Sequence, residues 1–152
     1  MKVVLASLTR REKRFTLADD GWFPPEVAKA DEAVASAGLR CLDACQGSWS
    51  LAGRLRVTLV LSCDRCGREL PWPVDEEFIY RIAMEESQMA DVEADEESAA
   101  LWLASGPVLD LADVFRERVW LALPEKVLCA EDCRGLCAGC GADLNQEPCR
   151  CI

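Results

Sequence analysis

The sequence predicts an α+β fold, in which a small antiparallel sheet packs with one or two helices and a cysteine-rich segment follows. Three observations lead to this prediction: apolar residues alternate in the middle of the chain, a helical pattern follows Asp110, and cysteines crowd near the C-terminal end. With 152 residues the chain is long enough for one domain with its own core. We expect an α+β domain over residues 1–126 and a cysteine-rich module over residues 127–152 docked on it.

Two neighbouring segments show the strand pattern most clearly. Residues 54–61 alternate apolar and polar side chains, and residues 72–82 repeat the alternation with a break at Glu76. The short segment between them, residues 63–67, has the length of a hairpin tip. We therefore expect two antiparallel strands joined at this tip, with a short first strand over residues 2–8.

Two segments are expected to be helical. The first opens at residues 23–26, where two prolines suit a first turn, and runs to Ser36, with Gly38 ending it. The second begins at Asp110, a good N-cap residue, and ends before Pro124. Its apolar residues form one face: Leu111, Val114, Phe115, Val119 and Leu123. The charged residues expected on its solvent side are Arg116, Glu117 and Arg118.

The charge of the chain is negative and unevenly distributed. The formal net charge is −10; residues 1–70 carry eleven basic against nine acidic residues, and residues 71–152 carry six against eighteen. From Glu85 to Glu97 there are seven acidic residues and no basic one. Such a run cannot bury enough apolar surface to fold, so we expect a flexible excursion over residues 85–99.

Eight of the ten cysteines fall into two matched groups, each containing a Cys-x-x-Cys-Gly knuckle. Two thiolates at this spacing can occupy one edge of the tetrahedron that Zn²⁺ requires. A glycine after the second cysteine permits positive φ, which turns backbone amides toward the sulfurs. Because the chain has no histidine, we expect two structural zinc sites made of thiolates alone. The expected ligands are Cys63, Cys66, Cys129, Cys133, Cys137, Cys140, Cys149 and Cys151.

The spacing of the cysteine pairs leaves their partition between two sites open. The favoured partition joins the 137/140 and 149/151 pairs, because their short loop closes at small entropic cost, and leaves 63/66 with 129/133. The rival partition joins 129/133 with 137/140 and leaves 63/66 with 149/151. Cys41 and Cys45 are expected to be buried or idle thiols rather than ligands.

Disulfides and thiol redox chemistry are the rival interpretations of these cysteines. The N-terminal segment is apolar for too few residues before Arg10 to be a secretory signal, so we expect a cytoplasmic location with reduced thiols. A redox Cys-x-x-Cys usually begins a helix, whereas Cys63 follows one predicted strand and precedes another. No candidate catalytic residue stands out, because histidine is absent and closed four-cysteine sites leave no open metal position. We therefore do not expect an enzyme; the alternatives in that class are a metal-dependent nuclease and a thiol redox protein.

Basic residues near the N-terminus and near the first knuckle are the candidate contacts for RNA or a protein partner. Nucleic-acid binding draws on phosphate neutralisation by Lys and Arg, and an acidic protein can supply it only through a local patch. For the N-terminal part of this patch, a solvated loop is an equally good interpretation. The candidate residues are Arg10, Arg11, Lys13, Arg14, Arg65 and Arg68.

The order of these features resembles a known family. An alternating strand enters Cys63-Asp-Arg-Cys66, and a second strand, an acidic gap and Val108-Leu-Asp-Leu-Ala-Asp113 follow. The chain then continues with a helix ending Leu121-Ala-Leu-Pro124 and the run Cys133-Arg-Gly-Leu-Cys137-Ala-Gly-Cys140-Gly-Ala-Asp-Leu-Asn145. From about residue 50 onward this is similar to the YceD family, the large ribosomal RNA subunit accumulation proteins of bacteria and plastids.

The resemblance implies a non-enzymatic, zinc-binding factor that supports large-subunit ribosomal RNA accumulation or processing and ribosome assembly. It also implies cytoplasmic partners, either the rRNA precursor or a ribosomal protein or assembly factor, with neither a membrane nor a small-molecule substrate. In relatives that keep only the first knuckle, a Cys or His pair follows the last helix, which implies that Cys63, Cys66, Cys129 and Cys133 form one unit. The alternative function is an acidic module that holds a basic ribosomal protein or assembly factor without touching RNA.

Overall fold

The computed structural model of the protein describes residues 1–84 and 100–151. The strands are β1 (Lys2–Val4), β2 (Lys13–Leu17), β3 (Val34–Asp43), β4 (Ser48–Ser62), β5 (Glu69–Met84), β6 (Ala100–Ala104) and β7 (Val108–Asp110). The α-helix of the described residues is α1 (Leu111–Leu121), and short 3-10 turns occupy Leu5–Ser7 and Asp20–Trp22. The acidic excursion expected over residues 85–99 lies outside the described residues.

Five strands form one sheet in the order β2-β3-β4-β5-β6, and β1 pairs with β7 in a separate ribbon. Neighbouring strands are antiparallel from β2 to β5, whereas β6 runs parallel to β5. The longest strand pairing is that of β4 with β5, which extends from the pair Ser48–Ala83 to the pair Ser62–Glu69. The α+β prediction is broadly confirmed, but the expectation of a small sheet is wrong.

The two strands expected at residues 54–61 and 72–82 lie inside the longer β4 and β5. The sequence pattern underestimates them because Ala52 and Gly53 interrupt the series of large apolar residues, although the register continues through both. The expected first strand is also shorter than residues 2–8, since the chain enters a 3-10 turn at Leu5.

The helix expected from residue 23 to Ser36 is wrong. Residues 34–43 form β3 instead, and Gly38 lies within that strand rather than ending a helix. The buried residues of β3 recur with the period of two that defines a strand. Two of them, Ala35 and Ala37, continue an alanine series from the preceding residues, and alanine is a strong helix former, so the sequence pattern suggests a helix that pairing with the neighbouring strands overrides.

Burial alternates across the sheet, so one face carries the core and the other is open to solvent. On the core face, Leu51, Leu55 and Leu59 of β4 are completely buried. Phe115 of α1 packs on this face with its ring centroid 5.5 Å from that of Phe78. We call the other side the open face. It carries Ser36, Gly38, Arg40, Ser50, Ala52, Arg54, Arg56, Asp75, Glu77, Ile79 and Arg81.

Glu76, which breaks the alternation of β5, lies on the core face because α1 supplies a partner for it. The guanidinium of Arg118 donates to its carboxylate (Nη2···Oε2 2.6 Å) and stacks 4.8 Å from the ring centroid of Phe78. Arg118 therefore belongs to the packing side of α1 and not to the solvent side expected for it. Each of these charges would cost free energy if it alone were shielded from water, and the ion pair offsets that cost.

The bounds of α1 agree with the capping signals in the sequence. The Asp110 carboxylate accepts a hydrogen bond from the amide of Ala112 (3.0 Å), which confirms it as the N-cap residue. The same carboxylate accepts from the N-terminal amine of Met1 (2.9 Å), and this cation lowers the pKa of Asp110. The helix ends at Leu121, before Pro124. In the described part of the chain, no helix has the length and apolar character needed to cross a membrane.

Gly53→Ala tests how tightly the core face is packed. A Cβ at Gly53 would lie 2.3 Å from the ring of Phe78, whose other neighbours include Phe115 and Tyr80. We expect the free energy of unfolding to fall by about 1–3 kcal/mol, because the ring has little space to move. Urea denaturation of the purified protein measures this change.

Gly106→Ala is the matched control, because nothing lies within 4 Å of a Cβ at that position. We expect its effect on the free energy of unfolding to stay within about 0.5 kcal/mol. Equal unfolding midpoints for the two variants would contradict the packing described here.

Candidate metal centres

The tip of the β4–β5 hairpin forms the first cysteine knuckle. The amide of Cys63 donates to the carbonyl oxygen of Arg68 (2.9 Å), and the amide of Gly67 donates to the carbonyl oxygen of Cys63 (2.8 Å). Gly67 has a φ of +70°, in the left-handed region that favours glycine. The turn therefore depends on this glycine, as the sequence pattern predicts.

Asp64 holds the segment that follows α1 against this tip. Its amide donates to the carbonyl oxygen of Val127 (2.9 Å), and its carboxylate accepts from the amide of Val127 (2.7 Å). This reciprocal pair fixes the chain two residues before Cys129. Two residues far apart in sequence thus bring the second pair of sulfurs to the first knuckle.

Cluster A consists of Cys63, Cys66, Cys129 and Cys133, whose sulfurs all lie within 4.8 Å of one another. The Sγ atoms of Cys63 and Cys133 are 3.8 Å apart, and those of Cys66 and Cys129 are 3.6 Å apart. Cys63 and Cys133 are each only 3% exposed. Cluster A is therefore a four-sulfur junction shielded from solvent on one side.

Cluster B consists of Cys137, Cys140, Cys149 and Cys151, and its sulfurs meet the same 4.8 Å criterion. The Sγ of Cys137 lies 3.3 Å from that of Cys149 and 3.6 Å from that of Cys151. The amide of Gly141, at φ +72°, donates to the carbonyl oxygen of Cys137 (2.9 Å), as Gly67 does in cluster A. Three of the four cysteines are exposed, so cluster B is far more accessible than cluster A.

The two clusters are the partition that short loop closure favours, and the rival partition is not the one adopted. The sulfur separations of 3.3–3.8 Å are well beyond an S–S bond of about 2.05 Å, so these cysteines are free thiols. Their role as metal ligands stays a prediction.

Backbone amides stabilise the thiolate of Cys63 in cluster A and lower the pKa of both Cys137 and Cys140 in cluster B, whereas neighbouring sulfurs raise the pKa of other thiols. The backbone amide of Cys129 lowers the pKa of Cys63 to about 6, and the amides of Cys140 and Gly139 lower the pKa of Cys137 to about 6. The hydrogen bond with the sulfur of Cys133 raises the pKa of Cys129 to about 12. A cation bound in cluster A would offset the mutual repulsion of four thiolates.

The donor set and the spacing of both clusters fit a tetrahedral metal ion. Four Zn–S bonds of about 2.3 Å place the sulfurs about 3.8 Å apart, close to the distances found here. Amides also point at sulfurs: that of Arg150 donates to Cys140 Sγ (3.4 Å), and that of Cys151 donates to Cys149 Sγ (3.3 Å). Such bonds orient thiolates and spread their charge in the way that supporting groups of metal sites do.

Arg65 and Gly135 hold the two clusters together. The Arg65 guanidinium donates to the carbonyl oxygen of Cys133 (2.7 Å), and the Arg65 carbonyl oxygen accepts from the amide of Leu136 (3.0 Å). Gly135 has a φ of +72°, and a Cβ there would lie 2.8 Å from the Arg65 carbonyl oxygen. Both the conformation and the close approach therefore require glycine at this position.

Asn145 is a supporting residue that sequence reasoning missed. Its Oδ1 accepts from the amide of Arg134 (2.7 Å), and its Nδ2 donates to Cys133 Sγ in cluster A (3.5 Å). Nearby, Arg68 forms an ion pair with Asp143 (3.5 Å). The position of Asn145 five residues after the Cys140 knuckle is the one sequence signal that could have drawn attention to it.

The six basic residues proposed as RNA or partner contacts do not form one surface. Arg65 and Arg68 lie at the β4–β5 tip and bind the segment that carries cluster B. Arg10, Arg11, Lys13 and Arg14 lie in and before the edge strand β2, whose register reaches β4 near Leu51. The eleven residue-to-residue steps from Leu51 to Ser62 span about 35 Å of strand, which separates the two groups.

Neither Cys41 nor Cys45 belongs to a cluster. Cys41 is buried on the core face, with its sulfur 3.9 Å from the carbonyl oxygen of Ser48. Cys45 is exposed in the β3–β4 turn. The expectation that these two thiols are not part of the four-sulfur groups therefore agrees with their positions.

Comparison with known families identifies the chain. A family model described as Large ribosomal RNA subunit accumulation protein YceD matches residues 51–152, more than half of the chain. The chain belongs to the YceD family. The region matched to YceD contains every cysteine of clusters A and B, and it leaves out Arg10, Arg11, Lys13 and Arg14.

A curated relative agrees with this assignment. The chain is 26% identical over 124 residues to Large ribosomal RNA subunit accumulation protein YCED homolog 1, chloroplastic, from Arabidopsis thaliana. The match covers 66% of this chain and 39% of the relative, so the chain spans about two fifths of that protein. No solved structure matches the chain.

Gly135→Ala tests the contact that joins the two clusters. We expect the amide of Leu136, which donates to the Arg65 carbonyl oxygen, to exchange with solvent deuterium at least about tenfold faster, because the added Cβ displaces that oxygen. Hydrogen exchange followed by NMR measures this rate on the purified protein.

Gly141→Ala is the matched control, because it has the same φ of +72° and nothing within 4 Å of a Cβ. It bears the strain of the left-handed conformation without the clash. If both variants changed the exchange of Leu136 equally, the contact with Arg65 would not be what holds this segment.

Proposed function

We propose that this protein is a zinc-binding, non-enzymatic factor that supports accumulation and processing of large-subunit ribosomal RNA and assembly of that subunit. The observation that carries the proposal is the YceD match over residues 51–152, which includes all the sulfurs of both clusters. The name of the Arabidopsis relative, a large ribosomal RNA subunit accumulation protein, supports the same function.

Zinc is the metal that suits both clusters best. Thiolates are soft ligands that select Zn²⁺, Cu⁺ or iron–sulfur clusters, and four of them at tetrahedral spacing without histidine or carboxylate match structural zinc. Zinc bound by Cys63, Cys66, Cys129 and Cys133 would cross-link the hairpin tip to the segment after α1. Zinc bound by cluster B would fold the final loop.

The cysteine-rich module of residues 127–152 has a structural need for metal. Of its side chains in the described range, Val127, Cys133 and Ala142 are the buried apolar ones, which makes a very small core. Binding of zinc to a small module contributes on the order of 10 kcal/mol or more, enough to fold a segment that its own core cannot hold. We propose that this module docks on the α+β domain of residues 1–126 through cluster A.

A role without catalysis fits these sites. A metal ion with four thiolate ligands has no open coordination position at which water or substrate could be activated. The chain also has no histidine to act as a general base near neutral pH. We further propose a cytoplasmic location, in which the ten cysteines would stay reduced.

A second function, an acidic module that holds a basic ribosomal protein or assembly factor, is favoured by one observation. Residues 71–152 carry twelve more acidic than basic residues. Each zinc site with four thiolates would add about −2 to this charge. A basic partner would then be attracted to this half of the chain without any contact to RNA.

Depletion of the protein from growing cells tests the main proposal. We expect the ratio of large-subunit to small-subunit rRNA to fall and to recover when the wild-type chain is supplied again. An unchanged ratio would contradict the proposed function. Purification of the tagged protein with and without nuclease separates the two candidates, since a basic protein partner that survives nuclease treatment favours the acidic module.

Metal analysis of the purified protein should give two zinc ions per chain. Cys140→Ser should reduce this to one, because cluster B loses a ligand while cluster A is unchanged. Cys45→Ser should keep both ions, since Cys45 lies outside the clusters. Inductively coupled plasma mass spectrometry measures the content.

One ion or none in the wild-type protein would contradict the two-site proposal. Iron accompanied by acid-labile sulfide would contradict zinc as the metal.

A further inference from the structure

We infer that one end of the open face binds the phosphates of single-stranded RNA. This inference rests on the proposed function and goes beyond it by naming the contact surface, which includes two arginines that the sequence patch did not contain. We call this surface the cationic end and define it by four residues: Arg10, Arg14, Arg40 and Arg81.

Strand register sets three of these arginines close together. Arg40 of β3 lies opposite Ser50 of β4, which lies opposite Arg81 of β5, so the three residues form one row across the sheet. Neighbouring strands are about 4.8 Å apart, which places the Cα atoms of Arg40 and Arg81 about 10 Å apart. Arg14 faces Gly38, two residues before Arg40 on the same side of β3.

The loop before β2 brings Arg10 to the same row. The amide of Cys41 donates to the carbonyl oxygen of Thr9 (2.8 Å), which fixes this loop against the end of β3. Arg10 and Arg40 then line one depression of about 350 Å³. The surface is therefore built from three strands and an anchored loop rather than from a mobile tail.

The charges at the two ends of the open face differ. Among residues 1–84 and 100–151, no carboxylate forms a salt bridge with Arg10, Arg40 or Arg81, and Glu12 pairs with Arg14 (3.0 Å). At the other end, Arg54 pairs with Asp75 (3.1 Å) and Glu77 (3.2 Å). Arg56 at that end lies opposite Asp75, so in a chain with a net charge of −10 the cationic end offers the denser group of uncompensated arginines to an anion.

The shape and chemistry beside the cationic end favour RNA as the occupant. A shallow trough of about 870 Å³ runs over the centre of the open face beside Ser36 and Ala52. Its two carboxylates, Glu12 and Glu77, are paired with Arg14 and Arg54. Hydroxyl groups between arginines suit phosphate and ribose oxygens, and a guanidinium binds phosphate bidentately. Of the two aromatic side chains that line the trough, Phe78 is buried in the core and Phe15 is half-buried, so contacts to the backbone would dominate over base stacking.

Salt dependence of RNA binding tests the assignment of phosphate contacts. The probe is a mixed-sequence single-stranded RNA of about 20 nucleotides, longer than the site of a small domain. For Arg10→Gln with Arg40→Gln, we expect weaker binding and a shallower dependence of log K on log salt. The magnitude of the negative slope should fall by about 1.4, which is about 0.7 for each lost phosphate contact. Both side chains are exposed, so the fold should persist, which the zinc content and the melting temperature verify.

Arg56→Gln with Arg116→Gln is the matched control. It removes the same charge from the far end of the open face and from α1. Its slope should stay within about 0.3 of the wild-type slope, since neither residue should contact phosphate. An equal loss of slope in the two double variants would overturn the inference, because the effect would then be one of net charge.

Glu12→Gln tests the same surface by a gain of binding, which unfolding cannot produce. It frees Arg14 from its ion pair, so we expect tighter RNA binding and a slope of log K against log salt whose magnitude is larger by about 0.7. Unchanged binding by this variant, or equal competition from poly-glutamate at the same charge concentration, would overturn RNA as the occupant. If the wild-type protein binds no RNA while depletion still lowers large-subunit rRNA, this inference fails and the proposed function stands. If the protein binds RNA through the cationic end while depletion leaves the rRNA ratio unchanged, the inference is supported and the proposed function fails.

Discussion

The pairing of β4 with β5 is the contact on which the rest of this structure depends. Its register is continuous from Ser48–Ala83 to Ser62–Glu69, so one hairpin supplies the centre of the sheet, the floor of the core and the first cysteine knuckle. α1 packs on its core face through Phe115, and Asp64 at its tip receives the chain that follows the helix. A shift of one residue in this register would turn the core residues of β5 toward solvent and misplace the knuckle.

Clusters A and B share a donor set but close very different loops. Cluster A joins Cys63 and Cys66 to residues more than sixty positions later, and Cys63 and Cys133 are almost fully buried. Cluster B closes a local loop, and three of its cysteines are exposed. A metal in cluster A would therefore stabilise the tertiary fold, whereas a metal in cluster B would stabilise one surface loop.

Arginines have three different roles in this small fold, and local sequence does not distinguish them. Arg118 crosses the core face to Glu76, because the two side chains meet where α1 packs on β5. Arg65 binds carbonyl groups that lie between the clusters. Arg40 has no salt bridge within the described residues and aligns with Arg81 only through strand register. Each role is decided by what the fold places opposite the guanidinium.

The sequence by itself determined the features that depend on neighbouring residues: the alternation within β4 and β5, the Asp110 cap, and the Cys-x-x-Cys pairs with the glycine turns of both knuckles. Tertiary structure decided what depends on distant partners. Residues 34–43 became β3 because β2 and β4 satisfy its backbone on both edges, and Asn145 reached Cys133 only after Gly135 turned the chain beside Arg65. Propensity and spacing act within a few residues, whereas strand pairing and ion pairs across the core require the whole chain to be folded.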